Sequence, residues 1–584
     1  MSTSKPGMPG HPMLPLAAIG AYMAGSLLVW LAAGLGGLMA GTGWTGGTPL
    51  TTVVDLALGT ATWPGTAGWL ALAGLVLVLA APAILVGLQI ARRRKGRKRV
   101  DAATPHLATR DDFAAYAPEG VAASARRLRP SSTISNDPAD HGMLVGDALP
   151  SNTEIRSSWE DVSVVIAGPR TGKSTAQVIP QIVEAPGPVL ATSNKRDIHD
   201  ATRGVREQLG TCWVFDPQGI ADAQPSFWYN PLRRVTGPRR AAELVSHFAA
   251  NSRGPDAKTD AYFDGEGENL CSYAMLAAAR AGLTLTEVYT WCANHRAAEK
   301  AVTHLENAGD QLLAVKLQSL VDAPEKQREG VFASALKLLK CLEEPTVLQW
   351  VSPPPDGEDR PEFDPHAFVR SRDTAFLLSR EGVGSAGPLT AAMSADILEV
   401  VNEIGAHSPG ARIDPPLLPI LDEAANVVRI RDLPDLVSHL GSRGAPLKII
   451  LQSWEQGAEA WGRSGIQKIW DAANVRIYGG GSADAEFLER LSKLIGQHDD
   501  TVWSVSVDRS GGGSKSSSVR ERRILDVSEL QALQRDRMIA FLSGSRPILL
   551  APRAWMTGPH AGGIRYSLAR YDPGHDDDDA EGAA

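Results

Sequence analysis

The sequence predicts an α/β nucleotide-binding fold with an inserted all-α region, behind two N-terminal membrane-spanning helices. Three observations lead to this prediction: two long uncharged apolar segments, an apolar run that leads into Gly-Lys-Ser-Thr, and a later apolar run that ends in Asp-Glu. Between the last two lies a long stretch rich in Ala, Leu, Glu and Lys and poor in β-branched runs, which is typical of helices. At 584 residues, the chain is longer than one compact core usually is, so at least two soluble units are expected.

Two segments are long and apolar enough to cross a bilayer. Residues 16–40 and 67–91 contain no charged residue, and about 20 apolar residues span the bilayer core. The alternative for the first segment is a signal peptide, but its apolar run is too long for one. Seven Lys and Arg residues within 92–99 follow the second segment, whereas the intervening loop carries only Asp55. The positive-inside rule therefore predicts both termini in the cytoplasm and a short loop outside.

The strongest local signal is a predicted buried strand, residues 162–167, that runs into a glycine-containing loop and then a helix. This is the order of a P-loop, in which backbone N–H groups surround phosphates and the lysine reaches the terminal phosphates. The following hydroxyl, here Ser174, ligates Mg²⁺. The strict pattern begins with Gly, and the small residue Ala167 in its place still permits the turn. The predicted ATP-binding residues are Gly168, Pro169, Arg170, Thr171, Gly172, Lys173, Ser174 and Thr175.

A second apolar run, residues 417–421, ends in Asp422-Glu423, which is the Walker B arrangement. Asp422 is predicted to hold Mg²⁺, directly or through water, and Glu423 to act as general base on the attacking water. An Asp before Glu-Ala-Ala is also a favourable helix N-cap, and Asp422 can both cap a helix and hold the metal. Pro419 is unusual inside a strand because it removes a hydrogen-bond donor from the ladder.

A third apolar run, residues 447–451, ends in Gln452, with one predicted helix between it and Glu423. A polar side chain at the tip of a strand beside the Walker B strand can contact the γ-phosphate or the attacking water. Capping of the next helix is the simpler interpretation of a glutamine in this place.

These motifs follow one another in a recognisable order. Behind the two apolar segments come GPRTGKS, GPVLATSNKRDI, CWVFDPQG and FWYNPLRR, then the helical stretch, LLPILDEAANV, SRGAPLKIILQS and RPILLAPRAW. Over residues 16–555 this order resembles the TraG-like coupling-protein ATPases of type IV secretion and bacterial conjugation. The succession of VFDP, YNP, helical insert and glutamine strand is more selective than either Walker motif alone.

The resemblance implies a RecA-like motor that binds ATP and Mg²⁺ and assembles as a homo-hexamer around a channel in the bacterial inner membrane. It implies that single-stranded DNA and its relaxase are passed to a type IV secretion channel. It also implies an arginine that reaches the neighbouring subunit's nucleotide. Arg443 is favoured for this role over Arg429 and Arg431, and a surface ion pair is the alternative for each. The nucleotide roles carry over to Lys173, Ser174, Asp422, Glu423 and Gln452.

The predicted organisation of the chain has six parts. They are a membrane anchor (1–99), a connector (100–155), a nucleotide-binding domain in two pieces (156–238 and 346–558), an all-α insert (239–345) and an acidic disordered tail (559–584).

Two alternatives remain beside the coupling function. One is a related membrane motor for duplex DNA or secreted protein, and the other is a catalytically silent membrane scaffold. The complete set of Walker residues argues against the scaffold.

Residues 501–507 alternate apolar and polar side chains, as a strand does, and 519–525 return after a Gly/Ser-rich segment, 510–518. A hairpin with a flexible tip is predicted. One hypothesis is that its cations contact DNA phosphates, and a simply solvated hairpin is the alternative. The cations are Arg509, Lys515, Arg520, Arg522 and Arg523.

The net charge argues against one class of nucleic-acid-binding protein, and the cysteines indicate the cellular compartment. The net charge of −8 argues against a basic nucleic-acid coat protein, although a local basic channel is compatible with it. Part of the negative charge lies in residues 576–581, where a run of like charges favours a solvated tail over a partner-docking one. The four cysteines form no CxxC motif, which favours a reducing compartment.

Overall fold

The computed structural model describes residues 13–44, 47–95, 99–252, 260–382, 384–507 and 513–574. The chain divides into two compact units, with the boundary between Arg99 and Val100. The first unit contains the predicted membrane segments, and the second contains all the predicted nucleotide-binding motifs.

The described part of the first unit has the helices Met13–Met39, Pro49–Ala57 and Gly65–Lys95. Both predicted spans therefore fall within long helices. By length and composition, Tyr22–Met39 is a candidate membrane span, and the described apolar part of the other helix, Gly65–Ala81, is shorter. Two membrane spans were predicted. Among the residues whose side chains are described, one helix is long and apolar enough to be a candidate span. Residues 96–98 of the basic cluster lie outside the described part of the chain.

Within the described residues, the second unit contains thirteen strands in two sheets. They are labelled here in chain order: β1 (Met143–Ala148), β2 (Thr153–Ser157), β3 (Ser163–Ile166), β4 (Val189–Ser193), β5 (Cys212–Phe215), β6 (Thr374–Leu378), β7 (Leu418–Leu421), β8 (Lys448–Leu451), β9 (Val475–Tyr478), β10 (Gln497–Val507), β11 (Gly513–Arg523), β12 (Met538–Leu542) and β13 (Ile548–Ala551).

The large sheet has 11 strands in the order β2-β1-β13-β12-β9-β3-β8-β7-β4-β6-β5. The strands from β9 to β5 run parallel, and those from β2 to β12 form an antiparallel edge. Both faces are buried: Val164 and Ile166 of β3 belong to one hydrophobic cluster and Val165 to another. Continuous apolar runs such as 162–167 form strands here because a parallel sheet buries both faces of its strands.

Pro419 is accommodated in β7 without loss of a ladder bond. The Leu418 N–H donates to the Pro188 carbonyl, at 2.9 Å, on the side of β4. Because successive backbone nitrogens of a strand point to opposite sides, the Pro419 nitrogen faces β8. Pairing between β7 and β8 begins only at Ile420, so no partner on β8 lacks its donor.

From Pro238 to Val369, the described chain between β5 and β6 is mostly helical. Within the predicted all-α insert, the helix Glu325–Leu338 is followed by a 3-10 turn over Lys340–Glu343. All of these helices belong to the same compact unit as the sheet. The α-helices are Pro238–Ser252, Ala261–Ala281, Leu285–Ala293, His295–Asn307, Gln311–Val321, Glu325–Leu338, Pro345–Val351 and Pro365–Val369.

The remaining helices cover the sheet or precede it. Ser174–Val178 is a π-helical turn, and short 3-10 helices cover Arg99–His106, Ala114–Tyr116, Pro409–Ala411 and Trp555–Thr557. The α-helices are Pro118–Leu128, Pro138–His141, Ile179–Glu184, Asp197–Arg206, Gly387–His407, Ala424–Val427, Leu433–Leu440, Trp454–Ala472, Ala485–Ile495, Val527–Gln531 and Ala561–Tyr571.

Two predicted boundaries need correction. The segment predicted as a connector, 100–155, supplies β1 and most of β2 to the edge of the large sheet. The prediction of disorder from residue 559 is wrong over Ala561–Tyr571, which is a helix. This helix is ordered by packing on Asp197–Arg206, where the Ser567 hydroxyl donates to the Asp200 carbonyl (2.6 Å) and accepts from the Gly204 N–H (2.8 Å). The acidic residues 576–581 lie outside the described residues.

The predicted hairpin is present as the two-stranded sheet β10–β11, with a register running from Gln497↔Arg523 to Val507↔Gly513. The predicted flexible segment 510–518 is too long, because residues 513–518 are part of β11. Ladder pairing gives these backbone groups partners, which outweighs the weak strand preference of Gly and Ser. Residues 508–512, including Arg509, lie outside the described residues, and nothing is described of the Lys515 side chain.

Candidate functional site

The three sequence motifs meet at one edge of the large sheet. Strands β3, β8 and β7 are parallel neighbours, so their carboxyl ends lie side by side. The predicted P-loop follows β3, Gln452 follows β8 and Asp422 follows β7. Ligand sites of open parallel sheets lie at this edge, outside the carboxyl ends of the strands.

Three of the four predicted catalytic residues are in direct contact. The Lys173 ammonium donates to Glu423 Oε1. The Gln452 side-chain amide nitrogen lies 2.7 Å from each carboxylate oxygen of Glu423. The Glu423 side chain is buried, with 5% of its surface exposed, and Lys173 retains 12%. The fold thus brings together a lysine, a carboxylate and an amide that are far apart in the sequence.

The backbone of Glu423 is what directs its carboxylate. Its φ of 53° and ψ of 41° are left-handed, a conformation that costs a residue other than glycine about 1–3 kcal/mol. The Glu423 carbonyl accepts hydrogen bonds from the N–H groups of Asn426 (2.8 Å) and Val427 (2.9 Å), which start the helix Ala424–Val427. The chain therefore turns sharply at the end of β7, and the surrounding contacts maintain the strained turn.

Asp422 is buried, and its Oδ1 atom has no hydrogen-bond partner among the described residues. Burial raises the pKa of Asp422 to about 7, with the positive charge of Lys173 acting against the shift and Glu423 and Asp197 adding to it. An orphaned, buried carboxylate oxygen fits a divalent cation or a water bound to one, since oxygen ligands are those that Mg²⁺ prefers. Asp197 is a further acidic residue of the site that the sequence analysis did not identify.

The predicted P-loop is braced by its own side chains. The Thr171 hydroxyl donates to the Gly168 carbonyl at 2.8 Å, and the Thr175 hydroxyl donates to the Gly172 carbonyl at 3.0 Å. Gly172 has a φ of 86° and Arg170 a φ of 60°, so the loop turns through two left-handed positions. The two threonines therefore shape the loop through its carbonyls, and the N–H groups after Gly168 remain the phosphate-binding groups of the prediction.

The helix after the P-loop begins with an unusual turn. Over Ser174–Val178 it is a π-helix, and the Ile179 N–H donates to the Ser174 carbonyl. Pro180 follows directly, and a proline inside an α-helix has no N–H to donate and clashes with the preceding turn. A wider π-turn accommodates such a residue, and π-turns are frequent at functional sites.

A glycine run after β9, Gly479–Gly481, packs against the P-loop and was not identified from the sequence. The Gly168 N–H donates to the Gly480 carbonyl at 2.9 Å. A Cβ on Gly168 would lie 2.6 Å from the Gly481 carbonyl oxygen, and one on Gly479 would lie 2.8 Å from the Ala167 Cβ. Ala167 is thus tolerated in place of the usual Gly because its neighbour Gly479 has no side chain. Three consecutive glycines in the sequence, directly after the residues that form β9, were the available signal.

The structure does not bring Arg443 to the other three predicted catalytic residues. It lies in the turn before β8, at the amino end of the strand whose carboxyl end leads to Gln452, and it donates to the Ala411 carbonyl at 3.1 Å. Of the competing arginines, Arg429 donates to the Ala425 carbonyl and Arg431 is exposed. A role on a neighbouring subunit's nucleotide stays a prediction for all three.

One hairpin cation is engaged within the chain. Arg523 forms a bidentate ion pair with Glu489 on the helix Ala485–Ile495, at 2.6 and 2.7 Å. The hypothesis that Arg523 contacts phosphate is therefore disfavoured, because its guanidinium already holds the base of the hairpin. Arg522 is 4.0 Å from Asp500 and largely exposed, and Arg520 is exposed, so these two remain candidates.

Part of the chain matches a known protein family. Residues 416–535, from β7 through the hairpin, match the family model TraG-D_C, described as the TraM recognition site of TraD and TraG. This match confirms the resemblance to TraG-like coupling proteins that the sequence motifs indicated. No curated protein matches the whole sequence significantly.

Solved structures of a bacterial conjugative coupling protein share the fold. The unbound form of TrwBdeltaN70 aligns with a TM-score of 0.52 at 15% identity, covering 74% of this chain and 91% of that one. TrwB with ADP and Mg²⁺ gives 0.51 at 15% identity, covering 70% and 90%. TrwB with a non-hydrolysable ATP analogue gives 0.51 at 15% identity, covering 74% and 92%. At this identity the likeness confirms the α/β fold and goes no further.

Proposed function

We propose that this chain is an ATP-hydrolysing coupling protein of the bacterial inner membrane, which delivers single-stranded DNA with its relaxase to a type IV secretion or conjugation channel. The observation that carries the ATPase part is the contact of Lys173 and Gln452 with one carboxylate, Glu423, beside the orphaned oxygen of Asp422. The coupling part is supported by the family match over residues 416–535. ATP and Mg²⁺ are the proposed ligands, in line with the ADP and Mg²⁺ and the ATP analogue bound in structures of TrwB.

Each side chain has a definite part in the proposed hydrolysis. Lys173 exchanges the Glu423 carboxylate for phosphate oxygens, which neutralises charge on the phosphates. Glu423 is thereby released to accept a proton from the attacking water. Gln452 remains bonded to the Glu423 carboxylate and fixes its orientation. Ser174 and Asp422 would hold Mg²⁺, whose charge stabilises the phosphates when it is bound.

The membrane and assembly parts of the proposal rest on the N-terminal helices and on the family resemblance. Tyr22–Met39 is long and apolar enough to span a membrane, and the basic residues after the second apolar helix favour a cytoplasmic motor. A homo-hexamer is proposed from the family resemblance, with Arg443 acting on the adjacent subunit's nucleotide. The hairpin β10–β11, whose side chains over 517–522 are exposed, lies within the span matched by the TraM recognition family and is the proposed partner-facing part of that span.

The test is the ATPase rate of the full-length, detergent-solubilised protein without DNA, with single-stranded DNA and with duplex DNA, beside Lys173→Ala. Stimulation of the wild type by single strands and a silent variant are expected. Hydrolysis that ignores DNA would instead favour a protein cargo or a requirement for relaxase, and preferential stimulation by duplex would favour the duplex motor. Equal silence of the wild type and variant would mean that the chain is not an active motor.

A further inference from the structure

A short loop, residues 428–430, closely follows Glu423 and is joined to it by one short, hydrogen-bonded helix. The intervening helix Ala424–Val427 is fixed at its start by two hydrogen bonds to the Glu423 carbonyl. Arg429 within the loop donates back to the Ala425 carbonyl of that helix. A movement of the Glu423 backbone therefore moves this loop as well.

The loop is held by a side chain from the helical region. The Arg429 N–H donates to Asn251 Oδ1 at 3.3 Å, and Asn251 Nδ2 donates to the Arg429 carbonyl at 3.1 Å. Asn251 thus binds the backbone of Arg429 as a neighbouring strand would, because an amide carries both a donor and an acceptor. The contact is also close-packed: a Cβ on Gly387 would lie 3.1 Å from Asn251 Oδ1.

Asn251 stands at the end of the helix Pro238–Ser252, which is also bonded to the rest of the helical region. The adjacent Ser252 hydroxyl donates to the carbonyl of Leu338, the last residue of the helix Glu325–Leu338, at 3.1 Å. One helix end therefore connects two partners: the 428–430 loop on one side and a second helix on the other.

The loop is also attached to the helix that follows Gln452. Trp461 Nε1 donates to the Ile430 carbonyl at 2.9 Å. Trp461 belongs to the helix Trp454–Ala472, and the Gln456 side chain of that helix accepts from the Gln452 N–H at 3.1 Å. The 428–430 loop is consequently bonded to elements that carry both Glu423 and its partner Gln452.

We infer that Asn251 is a positioning residue that couples the nucleotide site to the helical region between β5 and β6. The inference rests on the proposed ATPase function. When Lys173 exchanges Glu423 for phosphate, the turn at Glu423 and the 428–430 loop adjust together, and the Asn251 amide passes that adjustment to the helix Pro238–Ser252. In the reverse direction, a partner that displaces this helix alters the position of Glu423 and hence the rate of hydrolysis.

Hydrogen exchange of the full-length protein, with and without ADP and Mg²⁺, tests the coupling. In the wild type, nucleotide is expected to slow exchange both in 168–178 and in 238–252, the latter about fivefold, which corresponds to one hydrogen bond at about 1 kcal/mol. In Asn251→Asp, which keeps the acceptor but lacks the donor to the carbonyls of Arg429 and His247, the effect on 168–178 should remain and the nucleotide-dependent change in 238–252 should be lost. Asn269→Asp is the matched control, because Asn269 is exposed on the helix Ala261–Ala281 and its amide donates to the Glu266 side chain of the same helix.

The outcomes separate the two proposals. No nucleotide effect on 168–178 in the wild type would overturn the proposed function, and the inference with it. An effect on 168–178 without any on 238–252, or the same effect on 238–252 in Asn251→Asp as in the wild type, would overturn the inference alone. If Asn251→Asp lowers the melting temperature, Asn251→Ala is used instead. If Asn251 only stabilised the fold, its substitution would leave the kcat for ATP unchanged. Coupling predicts that the variant has a kcat about fivefold lower at unchanged nucleotide affinity.

Discussion

The carboxyl edge of the parallel strands and the hairpin β10–β11 differ in how far apart in the sequence their contacting residues lie. At the edge, Lys173, Glu423 and Gln452 come from separate strand ends and meet in a buried cluster. In the hairpin, the ladder joins residues that are close in sequence, and the described side chains of Ser517 to Arg522 are exposed. The edge depends on the whole sheet for its geometry, whereas the hairpin depends mainly on itself and on the ion pair at its base.

This difference explains why the structure restricts the possible roles of residues at the carboxyl edge more than those of residues in the hairpin. Buried groups at the edge have fixed partners, so their contacts restrict the chemistry that they can perform. Exposed arginines on a two-stranded hairpin have freedom to contact solvent, DNA or protein, and their position alone does not select among these. Substitutions at the two regions should accordingly differ in size and in the property that they change.

The largest effect is expected at the edge, for Glu423→Gln. The substitution keeps the shape of the side chain but removes the general base, and such a base contributes about 10²–10⁴-fold to a rate. We expect kcat for ATP to fall within that range while nucleotide binding is retained, measured by steady-state hydrolysis and fluorescent-nucleotide titration. Glu306→Gln, at an exposed position of the helix His295–Asn307, is the control. A variant that loses less than tenfold would show that the buried cluster is structural.

A buried lysine at the amino end of β8 should make the stability of the fold depend on pH. Lys448 is fully buried at the start of β8 and donates to Gln177 Oε1 at 3.0 Å. Burial lowers its pKa to about 7 from an ordinary value of 10.5. Between those pH values the unfolded chain binds more protons than the folded one, so stability increases as pH rises, by at most about 1.4 kcal/mol per pH unit.

Lys448→Met removes this dependence. The melting temperature of the wild type relative to the variant should therefore rise from pH 7 to pH 10. Lys468→Met, whose amine is half-exposed beside Asp435, should show no comparable slope. Parallel curves for wild type and Lys448→Met would mean that Lys448 stays charged in the folded protein.

The hairpin should affect DNA affinity and leave stability largely unchanged. If Arg520 and Arg522 each contact a phosphate, the double variant Arg520→Ser/Arg522→Ser should reduce the slope of log K against log salt for single-stranded DNA by about 1.4. Fluorescence anisotropy at several salt concentrations measures this slope. Arg110→Ser/Arg127→Ser removes two similarly exposed arginines elsewhere and should leave the slope unchanged. An unaltered slope in the hairpin variant would remove DNA contact from its functions.

The smallest effect is expected for Glu489→Gln at the base of the hairpin. Arg523 holds down the pKa of Glu489 by its hydrogen bonds and charge. Because both side chains are about one-third exposed, solvent screens the pair and its loss should change stability little. Hydrogen exchange should show a small rise confined to β10 and β11. Exchange that spreads into the helix Ala485–Ile495 would mean that this ion pair holds more than the hairpin.

The sequence by itself determined the elements that carry the chemistry. Apolar runs ending at Ile166, Leu421 and Leu451 predict buried strands because hydrophobic burial on both faces requires them. Loop glycines and Lys173 then predict a phosphate-binding turn from local backbone geometry alone. The helical region and the hairpin follow from local periodicity in the same way, although the ends of the hairpin strands do not.

Only the tertiary structure decided which of these elements touch. The order of the strands places Gln452 against Glu423, packs Gly479–Gly481 on the P-loop and leaves Arg443 at the other end of β8. It also orders the helix Ala561–Tyr571, whose composition resembles a tail, by contacts with Asp197–Arg206. Sequence periodicity describes one element at a time, whereas each of these contacts depends on pairing between elements far apart in the chain.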